Sequence, residues 1–89
     1  MNKEQKSILV EFVKKLSNED LRYVGTRLNE RYADDLAQVL DFLSKSEDVD
    51  GIFSSTNSAS ALYDYLDFVR ESVNGEAKSR GKRVSYVKK

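Results

Sequence analysis

Between Leu21 and Leu43 apolar side chains recur at steps of one, three and four: Leu21, Val24, Leu28, Tyr32, Leu36, Val39, Leu40 and Leu43. At about 100° per residue they fall in one broad stripe, the pattern of an amphipathic helix covered on one side. Gly25, Asn29 and Asp35 project into the same sector, and a carboxylate buried there would need a partner. One unbroken helix of this span would also reach ~40 Å at the usual rise per residue, long for a small domain. The spacing therefore predicts a break between Asn29 and Asp34, with Asp34 capping a third helix that runs to Lys45; the other reading is one long kinked helix.

The flanking segments supply surfaces to pack against this stripe. From Asn2 to Leu16 a helix is predicted with Ile8, Leu9, Phe12, Val13 and Leu16 on one face. Ser17 then stands where a hydroxyl caps the next helix, and Glu19 and Asp20 sit where the helix dipole favours negative charge. Ser46 to Ser58 reads as a loop, turned at Gly51, with Ile52 and Phe53 plugged into the core. A last helix is expected from Ser58 to Asn74, with Gly75 as its stop. Leu62, Leu66, Val69 and Val73 make its inner face, and Ala61, Tyr65 and Phe68 widen its apolar girdle. Beyond Gly75 no usable periodicity remains. The expected fold is all-α: a small bundle of four helices, or three with one long and kinked, over residues 1–75, followed by a basic flexible tail over 76–89.

Composition narrows the function more than the fold. Eighty-nine residues, 39% hydrophobic and 34% charged, make one folded domain. Proline is absent, so no helix is interrupted by it. Cysteine and histidine are absent too, which removes disulfides, thiol chemistry, the commonest general base and the commonest transition-metal ligand. Ser54, Ser55, Ser58 and Ser60 therefore have no histidine to activate them. The carboxylate pairs Asp34–Asp35 and Asp64–Asp67 read as solvated helix faces. Aligning Gly51 with a calcium-loop glycine puts Ser46, Asp48 and Asp50 at the first three ligand positions, but Asn57 where a bidentate glutamate is required. No enzyme activity, cofactor or small-molecule substrate is expected. No apolar run approaches the roughly 18 residues of a membrane span, and Ile8-Leu9-Val10 is too short for a signal peptide, so a cytoplasmic location is expected.

Charge is balanced overall but unevenly placed. Residues 1–75 carry nine Lys/Arg and fourteen Asp/Glu, a net of −5, and residues 76–89 carry six Lys/Arg and one Glu, a net of +5. Two functions compete on these patterns. The leading one is a small regulatory or adaptor protein that binds another protein, or a second copy of itself, through an apolar or aromatic helix face. Its candidate anchors are Phe68, Tyr65 and Ala61 on the last helix, with Phe42 and Tyr23 at the margins of the organising stripe. The alternative is a nucleic-acid-associated protein whose tail contacts phosphates through Lys78, Arg80, Lys82, Arg83, Lys88 and Lys89, with Tyr86 stacking on a base.

Overall fold

The computed structural model of the chain describes residues 1–30 and 33–81, and of residues 33 and 34 the backbone alone. Five helices are present among them: α1 (Lys3–Lys14), α2 (Asn18–Glu30), α3 (Ala33–Leu43), α4 (Glu47–Ser54) and α5 (Ala59–Ser79). The fold is all-α as expected, with one helix more than the pattern predicted. None of the described helices is long and apolar enough to cross a membrane.

Short polar residues start the helices. Asn2 and Gln5 form a reciprocal cap at α1: the Gln5 N–H donates to Asn2 Oδ1 at 2.8 Å, and the Asn2 N–H to Gln5 Oε1 at 3.1 Å. Ser17 Oγ accepts from the Asp20 N–H at 3.1 Å, the cap that its position implied. Ser58 does the same for α5, accepting from the Ala61 N–H at 3.1 Å.

The long α5 is the axis of the molecule. Asn29 of α2 exchanges side-chain amide hydrogen bonds with Asn74, at 2.9 and 3.2 Å. At the other end of α2, Asn18 meets Arg80. The two helices are thus antiparallel. On α5's other flank α1 runs in the same direction, with Lys6 over the Phe68 ring and the Lys14 carbonyl against Arg80. The core between them gathers Leu9 and Val13, Leu21, Val24 and Leu28, and Leu66, Val69, Val73 and Ala77, all buried. Val39 and Leu43 bring α3 into the same core. The predicted break in the organising stripe is real: α2 ends at Glu30, α3 starts at Ala33, and α3 returns antiparallel along α2. Asp34 lies within α3 rather than capping it, and the helix ends at Leu43 rather than Lys45. Arg31 and Tyr32 lie outside the described residues. Gly25 is buried in the stripe, and its carbonyl accepts from Asn29 Nδ2 at 2.7 Å. Polar positions in the apolar sector thus bond to each other and across to α5.

Two expectations need correction. Ser46 to Ser58 is not a loop throughout, because Glu47–Ser54 is helical. Ser46 caps it, accepting from the Val49 N–H at 3.4 Å. Glu47, Asp48 and Asp50 occupy its first turn, where the dipole favours them. Val49, Ile52 and Phe53 follow a helical i, i+3, i+4 spacing, the first two buried and the third half-buried. Eight residues cannot hold a helix alone; packing on α1 and α5 does so.

The second correction concerns Gly75, which does not stop the last helix. Gly75 is exposed within α5, which continues to Ser79 and turns off at Gly81 with φ +73°, a conformation that favours glycine. Burial of Ala77 and the grip on Arg80 outweigh the roughly 1 kcal/mol cost of a helical glycine. The predicted boundary at 75/76 therefore falls inside a helix, and residues 82–89 of the predicted tail lie outside the described residues.

Two measurements follow from this packing. Truncation after Gly75 removes Ala77 and Arg80 and should destabilise the chain by about 2 kcal/mol or more, read as a lower thermal midpoint; Arg80→Ala should reproduce part of that loss. The second concerns Tyr65, whose buried hydroxyl has no hydrogen-bond partner among the described residues. Tyr65→Phe should raise stability by about 1 kcal/mol, since an unpaired buried hydroxyl is a net cost. Burial, and then the nearby Asp50 carboxylate, push the Tyr65 hydroxyl well above its ordinary range. The folded state thus keeps a proton that an unfolded tyrosine loses near about pH 10, and wild-type stability should fall faster than that of Tyr65→Phe as pH rises past that point.

Candidate interaction surface

The structure separates the five predicted anchors. Tyr65 is 0% exposed and stacks on Phe53 of α4, ring centres 6.0 Å apart at 48°. It is therefore core, not surface: the segment read as a loop is a helix, and that helix is the wall that covers it. Ala61 is half-buried. Phe68 is half-buried against the core, with the Lys6 ammonium 5.8 Å from its ring centre. A continuous Ala61–Tyr65–Phe68 patch does not exist. What remains there is a groove along α1 and α5 lined by Met1, Lys6, Asp64, Asp67, Phe68 and Glu71.

Tyr23 and Phe42 are half-buried against the core as Phe68 is, but these two are brought together. The antiparallel return of α3 along α2 sets their rings 5.6 Å apart at 44°, a tilted pair of the kind that contributes about 0.5–1.5 kcal/mol beyond area burial. The Arg27 guanidinium lies 3.7 Å from the centre of the Tyr23 ring. It is held there by two hydrogen bonds, Nε donating to Gln38 Oε1 at 2.8 Å and Nη1 to the Tyr23 carbonyl at 3.1 Å. Lys45 places its ammonium 5.7 Å from the centre of the Phe42 ring. The resulting row runs cation, ring, ring, cation across the α2–α3 face. Beside it lies a shallow groove of about 270 Å³ lined by Asp20, Tyr23, Gln38, Asp41, Phe42 and Lys45.

Sequence reasoning found both rings and missed the cations, although the signal was present. Arg27 follows Tyr23 by four residues and Lys45 follows Phe42 by three, the spacings that stack side chains on one helix face. It also assigned nothing to Tyr63, which is 57% exposed over a small apolar gap lined by Leu28, Leu36 and Leu66.

The predicted phosphate contacts fare differently. Lys78 is exposed on α5. Arg80 is fully engaged: Nε donates to Glu76 at 2.8 Å, Nη1 to Asn18 at 2.9 Å and Nη2 to the Lys14 carbonyl at 3.0 Å. This arginine staples the ends of α1, α2 and α5 together. Lys82, Arg83, Tyr86, Lys88 and Lys89 lie outside the described residues. The acids that align with a calcium loop are on and around α4, and the described residues contain no group of three or more metal-ligating side chains.

The chain matches no family model, and no curated protein or solved structure shows similarity to it.

Proposed function

We propose that this chain is a small non-enzymatic regulatory or adaptor protein that docks a polypeptide on its α2–α3 face, with Tyr23 and Phe42 as anchors. The observation that carries this reading is the tilted ring pair bracketed by Arg27 and Lys45. Aromatic and arginine side chains dominate binding energy where they are held in place. Here Gln38 and the Tyr23 carbonyl hold the guanidinium before any partner arrives, so little side-chain freedom is left to lose on association. The absence of histidine and cysteine from the chain supports binding over catalysis, because the commonest proton-transfer and nucleophilic groups are missing. The α1–α5 groove around Phe68 is a weaker docking face, since it offers one half-buried ring where the α2–α3 face offers two in contact.

The test compares wild type with Tyr23→Ala and Phe42→Ala, each checked for helicity by circular dichroism. Self-association is followed by light scattering, and capture of other proteins by quantitative mass spectrometry. Truncating a central aromatic anchor should weaken whichever association the wild type shows by about tenfold or more. Folded variants that associate as well as wild type would reject this face and favour the groove around Phe68.

A further inference from the structure

The α2–α3 face has a regular register. Arg27 pairs with Gln38 and Tyr23 with Phe42, so paired residue numbers on the two antiparallel helices add to a constant. Asp20, and Lys45 in the turn just past the end of α3, line the same groove beside the rings. The face is a ladder of three rungs: a donor opposite an acceptor, a ring opposite a ring, an anion opposite a cation. Asp20 and Lys45 form no ion pair within the chain among the described residues.

A ladder of this kind is complementary to itself. A twofold axis lying in the plane of the face and parallel to the helices leaves every level unchanged and exchanges the two sides. It sets α2 of one copy on α3 of the other. Tyr23 then lies on Phe42 of the second copy, Arg27 beside its Gln38, and Asp20 beside its Lys45; the same three contacts recur in reverse, as a closed twofold interface requires. Two helices from each copy meet as four antiparallel helices, a standard bundle arrangement. Among the described residues, the α1–α5 groove holds a single half-buried ring, Phe68, and no second ring to set against it.

We infer that the polypeptide docked on the α2–α3 face is a second copy of this chain, packed about that twofold axis with Asp20 paired to Lys45 across the interface. This rests on the docking role given to the same face above. The four rings supply the buried apolar centre, while the two ion pairs at the rim set orientation and exclude other registers more than they add affinity.

The experiment is sedimentation equilibrium of the full chain as wild type, Asp20→Lys, Lys45→Glu, and an equimolar mixture of the two variants. Wild type should form a dimer whose population rises with concentration. Each variant alone sets like charges against each other twice per dimer and should associate about tenfold more weakly or worse. The mixture should regain wild-type association. In a mixed dimer the lysine introduced at position 20 of one variant meets the glutamate introduced at position 45 of the other, and the native Lys45 and Asp20 face each other on the second rung. Loss of a purely structural role cannot be rescued by mixing. Wild type that stays monomeric across the accessible concentrations overturns the inference without reference to any variant, and so does a dimer indifferent to both reversals. If wild type is monomeric yet Phe42→Ala loses capture of a different protein, the second copy is wrong and the docking face stands; if Phe42→Ala changes neither, the face itself is wrong.

Discussion

A helix whose buried strip is wider than one neighbour can cover needs several, and α5 imposes that constraint on everything else in this chain. Leu66, Val69, Val73 and Ala77 are buried in the core shared with α1 and α2, and Tyr65, one turn before Val69, continues this strip to its contact with Phe53 of α4. Three walls are needed, and the chain supplies three. The shortest of them, α4, has too few residues to be stable in isolation and is held by packing on α1 and by the contact of Phe53 with Tyr65. The arrangement closes at a cost, since the Tyr65 hydroxyl is sealed in with no partner among the described residues. Aromatic area at that position outweighs one unmet hydrogen bond, as the sizes of the two effects allow.

Polar groups do a different job in this small core. Asn29 and Asn74 exchange hydrogen bonds between α2 and α5, and Arg80 ties the ends of α1, α2 and α5 through three donors. Apolar packing alone tolerates sliding of one helix along another; directional bonds at both ends of α2 do not. They set the register of α2 on α5. Since α3 is antiparallel to α2, they also set where the outward ladder of Arg27, Tyr23, Gln38 and Phe42 stands relative to the rest. Core and candidate interface are coupled through α2.

The uneven charge takes on a structural meaning here. An acidic body followed by a basic end suggests phosphate binding when read as composition alone. In the fold, Arg80 is spent on Glu76, Asn18 and a helix-terminal carbonyl, where the negative end of α1 welcomes a cation. Part of the basic excess is thus structural, and two further cations, Arg27 and Lys45, lie over the Tyr23 and Phe42 rings.

Much of this was legible in the sequence. The all-α class, the cap at Ser17, the helical face of Ile8, Leu9, Phe12 and Val13, and the break between Asn29 and Asp34 follow from local periodicity and capping chemistry, which depend on neighbours a few residues away. Four features were decided only by tertiary structure. The α4 segment pattern is too short to outweigh Gly51 and its serines until α1 and α5 offer a surface. Gly75 stays helical because Ala77 and Arg80 beyond it are held by distant residues. Tyr65 is core because α4 exists. Tyr23 and Phe42 are a pair because α3 folds back along α2 in one particular register. Each depends on contacts between residues far apart in the chain, and helical periodicity records which face of a segment is apolar but not which distant segment will cover it.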